Sequence, residues 1–196
     1  MGQPAEKIEA TYEDLIAAPK NMVAEIINGT LRTQPRPASP HAFASSELGF
    51  ELVGPFQRGK GGPGGWWILD EPELHFPNPA ARSGKDVVVP DLAGWRKSRM
   101  PRVPRVPFFT LAPDWICEVL SPSTETMDRE EKMPIYAREG VKWAWLVDPI
   151  AKTLEVFVLG NHGWEGTATY RDTDRVHAVP FDAVEIDLAA LWTDLP

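Results

Sequence analysis

The sequence contains little of what several common classes of protein require. Its 196 residues include one cysteine, Cys117, so no disulfide can form within the chain. That cysteine and four scattered histidines do not match zinc-ligand spacings, which argues against a transition-metal site. No run of eighteen apolar residues occurs, and the N-terminus lacks the basic and then apolar layout of a signal peptide. We therefore expect a cytoplasmic protein.

Positive charge is also scarce. The chain has 20 Lys and Arg against 28 Asp and Glu, and the net charge of −8 argues against unspecific attraction to nucleic acid. The distribution weakens that objection, because residues 92–113 contain no acid and five cations interleaved with prolines. These cations are Arg96, Lys97, Arg99, Arg102 and Arg105. This basic arm is typical either of a solvated surface loop or of a mobile segment that follows a phosphate backbone.

The chain does have the material for one globular domain, with 43% apolar residues over positions 1–196. Thr11 is a helix cap, Asn28 and Gly29 form a hairpin turn, and Ser39 caps a helix that stops at Gly54. The remaining pattern predicts strands at 66–76, 86–95, 114–120 and 141–148, a helix from about 124 to 139, and a hairpin over 153–170. The single cysteine, Cys117, lies in one of these predicted strands and is expected to be a small core residue.

This order of elements predicts an α/β or α+β fold. We expect a mixed central sheet flanked by helices, with a helix and hairpin added at the N-terminus and a hairpin added at the C-terminus. Strand 114–120 is apolar on both faces and should therefore lie at the centre of the sheet.

Two carboxylates, Asp91 and Glu118, interrupt apolar strands where hydrophobic side chains are expected. A charge in a buried strand is costly unless it is paired or binds a metal ion. Pro90 predicts a bend that could turn Asp91 outward. The pair indicates either an oxygen-ligand metal site or, in the structural alternative, an Asp91 that caps a turn and a Glu118 that pairs with a buried base.

The motifs of the chain resemble, in order, those of the bacterial Uma-two family of predicted restriction endonucleases, within the PD-(D/E)XK nuclease superfamily. The resemblance runs from about residue 11 to about residue 159. It is carried by EIING (25–29), VPDL (89–92), PDWICEVLSPST (113–124), Lys132, YAREGV (136–141) and WAWLVDP (143–149). It implies a restriction-endonuclease-like core over about residues 40–150, in agreement with the predicted order of strands and helices.

The resemblance implies metal-dependent hydrolysis of phosphodiester bonds in nucleic acid, with DNA the favoured substrate. Asp91 and Glu118 would hold Mg²⁺ or Mn²⁺, with the carbonyl of Val119 as a further ligand. The superfamily expects a lysine two residues after the glutamate, but that position is Leu120. The family instead nominates Lys132 on the next helix, where a lysine could equally be a solvated partner of Asp128.

Several further roles are predictions of the same kind. Glu73 and Glu47 are candidate accessory acids, the basic arm is a candidate nucleic-acid contact, and Trp95 is a candidate for base stacking. Cutting both strands of a duplex usually needs two sites, so a homodimer fits this function. The alternatives are a catalytically silent binding module of the same fold, which the acidic charge and the missing Glu-x-Lys favour, and a carboxylate hydrolase acting on sugars.

Overall fold

Residues 6–192 are described by a computed structural model and form two main β-sheets. The strands are β1 (Glu6–Ile8), β2 (Met22–Ile27), β3 (Thr30–Pro35), β4 (Trp66–Asp70), β5 (Leu74–Pro77), β6 (Lys85–Val88), β7 (Leu92–Arg96), β8 (Trp115–Val119), β9 (Trp143–Asp148), β10 (Thr153–Gly160), β11 (Gly163–Arg171), β12 (Arg175–Val176) and β13 (Ile186–Asp187). The helices are α1 (Tyr12–Ile16), α2 (Ser39–Leu52), α3 (Glu125–Met127) and α4 (Met133–Arg138), with π-helical turns at Val53–Gln57 and Asp128–Lys132 and a 3₁₀ helix at Leu188–Trp192.

The larger sheet is mixed and has the strand order β11-β10-β9-β8-β7-β4. Only β8 and β9 run parallel within it, and they are joined by the helical segment from α3 to α4. The smaller sheet is antiparallel, in the order β1-β3-β2-β6-β5. The predicted mixed central sheet with terminal hairpins is confirmed.

Strand β8 is at the centre of the larger sheet because its side chains are apolar toward both faces. Trp115, Cys117 and Val119 join the core that also contains Leu48 of α2. On the other face, Ile116 packs with residues of α4. One helix therefore covers each face, as predicted, and Cys117 is a buried core residue.

The local signals near the N-terminus act as predicted. Thr11 caps α1 through a capping box with Asp14. Strands β2 and β3 are joined at Asn28 and Gly29, whose φ angles of 50° and 79° are those that a tight hairpin turn requires. This hairpin forms the centre of the smaller sheet.

Two stretches that were predicted as single strands each form two strands. Each stretch bends and passes from one sheet to the other. The 66–76 strand breaks into β4 and β5 at Glu71, which has a φ of 42°, followed by Pro72. The 86–95 strand breaks into β6 and β7 at Pro90 and Asp91. The amide of Glu71 donates to the carbonyl of Asp91 at 3.0 Å, so the two crossings lie together. The bend predicted from Pro90 is confirmed.

Helix α2 starts one residue earlier than predicted, and a π-helical turn extends the helical path beyond the predicted stop. Its N-cap is Ala38 rather than Ser39, because Pro40 fits the first turn and draws Ser39 into the helix. Gly54 and Pro55 do not end the helical conformation, which continues through a π-helical turn to Gln57. Within residues 6–192, the structure has no helix that is both long and apolar enough to cross a bilayer.

Candidate active site

Asp91 and Glu118 lie next to each other at one edge of the larger sheet. Leu92 of β7 pairs with Cys117 of β8, so Asp91 and Glu118 each lie one residue beyond this pair on antiparallel strands. Oδ2 of Asp91 accepts a hydrogen bond from the amide of Val119 at 2.6 Å. The structure therefore brings the two predicted carboxylates together, and Val119 contacts Asp91 through its amide rather than through the carbonyl nominated as a ligand.

Glu118 is buried and bonded to two side chains. The hydroxyl of Tyr136 donates to Oε1 at 2.5 Å, and Nζ of Lys132 lies 2.9 Å from the same oxygen. Oε2 receives neither contact. Burial raises the pKa of Glu118 well above its usual value, although the charge of Lys132 opposes that shift. A second cation near Glu118 would favour its ionised form.

Lys132 points into the site from a widened helical turn. Pro134 cannot donate a backbone hydrogen bond, and its ring would clash with the carbonyl four residues earlier in a regular α-helix. The turn at Asp128–Lys132 instead has π-helical spacing, which relieves that conflict and leaves Asp128 and Lys132 both buried. The distortion of the helix at Pro134 therefore does not turn Lys132 away from Glu118.

Four oxygen atoms surround the ammonium group of Lys132. Besides Glu118, these are Oε1 of Glu25 at 3.2 Å, Oδ1 of Asp128 at 3.4 Å and the carbonyl of Val89 at 3.2 Å. Burial alone would lower the pKa of Lys132, but the charges of Glu118 and Glu25 outweigh it and raise the pKa well above its usual value. Lys132 is therefore the charged partner of a buried carboxylate cluster.

Sequence reasoning missed Glu25 as part of this cluster and interpreted Asp128 as a solvated partner. Both side chains are buried, and burial raises both pKa values despite the opposing charge of Lys132. A charged residue within the apolar strand that contains Glu25 was the available signal, as was the four-residue spacing from Asp128 to Lys132. Three carboxyl groups thus face one ammonium group, so acidic side chains outnumber the cation in this cluster.

His41 also belongs to the site, although it is not among the residues predicted from the sequence. It lies in the first turn of α2, and its Nε2 is 3.2 Å from Oδ1 of Asp91. Burial alone would lower the pKa of His41, but the contact with Asp91 outweighs it and raises the pKa. Both oxygens of Asp91 are therefore held, one by α2 and one by β8.

A pocket of about 340 Å³ opens onto this cluster. Its inner wall includes Asp91, Glu118 and Lys132. The other lining residues include Arg36, His41, Glu71, Asp128 and the hydroxyl side chains of Ser121, Ser123 and Thr124. The pocket thus combines acids, cations and neutral hydroxyl groups, a set that could contact a phosphate group and its counter-ion.

The two predicted accessory acids lie outside this pocket. Glu73 accepts from the hydroxyl of Tyr12 at 3.0 Å and contacts Nε2 of His75 at 2.6 Å. Glu47, farther along α2, is not among the lining residues either. Glu71 lies in the pocket wall instead of Glu73, because the turn between β4 and β5 brings Glu71 beside the Asp91 bend.

The basic arm starts at the opposite end of β7 from Asp91, about 16 Å away at the usual rise of a strand. None of its five cations lines the pocket. Arg96 lies over the ring of Trp66 at 4.6 Å, and Lys97 over that of Trp67 at 4.3 Å. Arg102 and Arg105 are exposed.

Trp95 is unavailable for base stacking. Its side chain is fully buried, and its indole N–H donates to the carbonyl of Leu111 at 2.9 Å. It packs against Phe109 in the core on the α4 side of the sheet. The stacking prediction is therefore wrong, because alternation along β7 turns this ring inward.

The described residues, 6–192, contain no cluster of three or more His, Cys, Asp or Glu side chains arranged as a metal centre. Mg²⁺ does not require one, since it commonly binds through one or two carboxylates and keeps several waters. Asp91 and Glu118 supply hard oxygen donors, and the surrounding carboxylates outnumber the ammonium group. The donor chemistry and the charge therefore fit a Mg²⁺ or Mn²⁺ ion.

Comparisons with known proteins agree with this fold. The model of the Uma2 family, described as "Putative restriction endonuclease", matches residues 10–189. A crystal structure from Anabaena variabilis, described as a putative nuclease belonging to DUF820, is similar with a TM-score of 0.70 and 22% sequence identity. The similarity covers 94% of this chain and 98% of that one, and at this identity it supports the fold alone. No curated protein matches the chain.

Proposed function

Because the chain belongs to the Uma2 family of restriction-endonuclease-like proteins, we propose that it is a metal-dependent endonuclease that hydrolyses phosphodiester bonds of nucleic acid, with DNA the favoured substrate. The observation that carries this proposal is the contact geometry at the end of β7 and β8. Asp91 is fixed on the Val119 amide at 2.6 Å, and Glu118 is bonded to Lys132 at 2.9 Å.

Asp91, Glu118 and the carbonyl of Val119 are the proposed ligands of Mg²⁺ or Mn²⁺. A bound ion would lower the pKa of a coordinated water and neutralise charge on the phosphate oxygens. Tyr136 and Lys132 both contact Oε1 of Glu118 and so orient this carboxylate, while Oε2 stays free of these two contacts. The excess of carboxylates favours a second cation at this position.

Lys132 takes the place of the lysine that is missing after Glu118. Leu120 stands two residues beyond the glutamate and is buried in the core against α4, so that position holds no charge. The ammonium of Lys132 approaches from the helical segment and reaches the same carboxylate. We assign Lys132 the role of stabilising negative charge that develops on the phosphate.

The basic arm is the proposed contact for more distant phosphates. Successive phosphates of one DNA strand are about 3.4 Å apart along the axis, so a separation of about 16 Å corresponds to about five nucleotides. Arg102 and Arg105 are exposed on the proline-rich segment, and Arg96 and Lys97 are held by tryptophan rings. The arm could therefore bind the backbone while a phosphodiester enters the pocket.

A panel of substrates tests the proposal. Duplex DNA, single-stranded DNA and RNA are incubated with the protein in Mg²⁺, Mn²⁺ or EDTA, and products are separated on gels. We expect cleavage only with metal, and its loss in Asp91→Asn and Glu118→Gln. Glu165→Gln, an exposed acid on β11, is the matched control and should cleave like the wild type.

The second candidate function is a catalytically silent nucleic-acid or protein binding module. The observation that favours it is the set of four oxygen atoms around Lys132, because a lysine with this many partners can serve as a purely structural charge. Nucleic acid bound by the wild type and left uncut under every metal condition would support this alternative. Metal-dependent cleavage that Asp91→Asn removes would exclude it.

A further inference from the structure

His41 makes its observed polar contact with a single side chain, Asp91. The side chain is 10% exposed, and its Nε2 lies 3.2 Å from Oδ1 of Asp91. A carboxylate oxygen can only accept a hydrogen bond, so the proton of this contact is on Nε2. His41 therefore donates to Oδ1, while the amide of Val119 donates to Oδ2.

The packing of α2 does not account for a histidine at this position. Ala44, Leu48 and Leu52 hold the helix on the sheet through its apolar face. Nδ1 of His41 is buried and, among the described residues, has no hydrogen-bond partner. A buried polar atom without a partner lowers stability, so an apolar side chain would suit a purely structural role better.

We infer that His41 is a positioning residue that fixes the carboxylate of Asp91 for metal binding. This inference rests on the proposed function, because it assigns Asp91 as a ligand. Donors to both oxygens restrict rotation of the carboxylate about its Cβ–Cγ bond, and the two donors come from separate elements, α2 and β8. Residues that orient metal ligands in this way typically change metal affinity 10- to 100-fold when they are replaced.

Three substitutions at His41 separate the effect of its hydrogen bond to Asp91 from the effect of its side-chain volume. His41→Gln keeps a donor, because its amide nitrogen lies as many bonds from the backbone as Nε2. His41→Leu keeps volume and removes the donor. His41→Asn places its amide nitrogen at the level of Nδ1, one bond short of Asp91.

The experiment is titration of Mn²⁺ into each purified full-length variant, followed by calorimetry and by the electron paramagnetic resonance signal of free Mn²⁺. Ser46→Ala, at an exposed position of α2, is the control. We expect the Kd for Mn²⁺ to rise about 10- to 100-fold in His41→Leu. His41→Gln and Ser46→Ala should stay within about threefold of the wild type.

Each result decides the inference. Equal Mn²⁺ affinity in wild type and His41→Leu would overturn it and leave the proposed function intact. Equal loss in folded His41→Leu and His41→Gln would also overturn it, since the donor would then be irrelevant. If His41→Leu does not fold, His41→Gln and His41→Asn provide the same contrast. No Mn²⁺ binding by the wild type would overturn both the proposed function and this inference.

Discussion

The two ends of β7 contain opposite charges in opposite surroundings. At the Asp91 end, the carboxylates of Glu25, Glu118 and Asp128 are buried around Lys132. At the Arg96 end, the cations lie at the surface. Arg96 and Lys97 lie over tryptophan rings, Arg99 pairs with Asp114 at 3.1 Å, and Arg102 and Arg105 are exposed on the proline-rich segment. The strand that joins the two regions, β7, has only five residues.

The difference shows how burial decides what a charge does. A buried charge must be paired within hydrogen-bond distance, so the acidic end has a fixed geometry and strongly shifted pKa values. An exposed charge is screened by water and salt, so the basic end can act at longer range without fixing any partner. Chemistry is expected at the first end and attraction of a polyanion at the second.

The largest effect is expected from Lys132→Met, which leaves three buried carboxylates without their cation. We predict a loss of about 3–5 kcal/mol in unfolding free energy at pH 8, measured by urea denaturation. The loss should be smaller at pH 5, because burial raises the pKa of Glu118 and so favours its neutral form as the pH falls, and a neutral carboxyl group needs no cation.

The matched control for Lys132 lies at the basic end. Lys142→Met removes an exposed lysine and should change the unfolding free energy by no more than about 0.5 kcal/mol at either pH. Similar losses in the two variants would contradict the contrast between the ends.

Tyr136→Phe tests the hydrogen bond that an uncharged donor makes within the acidic end. The variant removes the donor 2.5 Å from Oε1 of Glu118 in a buried environment. We predict a loss of about 1.5–3 kcal/mol in a denaturant titration at pH 8. Tyr170→Phe at the half-buried edge strand is the control, and an equal loss there would assign the effect to general packing.

The basic end should affect nucleic-acid binding without affecting stability. For duplex DNA, we predict that Arg102→Ala with Arg105→Ala reduces the slope of log K against log salt by about 1.8, or 0.9 for each lost phosphate contact. Fluorescence anisotropy over a salt series measures the slope. Lys20→Ala with Arg171→Ala makes the same change in net charge at other exposed positions, and an equal reduction there would show that only net charge matters.

The smallest expected effect shows whether pH sensitivity is confined to the acidic end. Burial lowers the pKa of His75 below its usual value of 6.5, and the charge of Lys85 acts in the same direction. The folded state thus favours the neutral ring, so stability should fall as the pH drops below about 6.5. The fall from pH 7 to pH 5 should be smaller in His75→Gln, while His162→Gln at an exposed turn should match the wild type in thermal denaturation.

Local signals predicted most of the framework. Thr11 capped its helix, Asn28 and Gly29 made their turn, and the two-sided apolar pattern placed β8 at the centre of the sheet. The breaks within these two predicted strands were missed because apolar residues resume at Leu74 and at Leu92. The change of sheet is decided by backbone hydrogen bonds between distant segments.

The candidate site was predictable only where local signals in the sequence mark its residues. Asp91 and Glu118 stood out as charges within apolar strands, and the motif order nominated Lys132. Glu25 and His41 come from segments far from β8 in the chain, and only the packing of the β2–β3 hairpin and α2 brings them close. Glu73 lies outside the pocket because the turn between β4 and β5 brings Glu71 beside Asp91 instead.

The sequence by itself determined the central strand and the presence of two carboxylates that a hydrophobic core would reject, because alternation and the cost of burying charge are local properties. Only the tertiary structure decided how that cost is offset. The widened turn before Pro134 directs Lys132 inward, and Glu25, Asp128, Tyr136 and His41 arrive from four separate elements to surround the pair. Hydrogen bonds between distant residues depend on three-dimensional distance, which no spacing along the chain encodes.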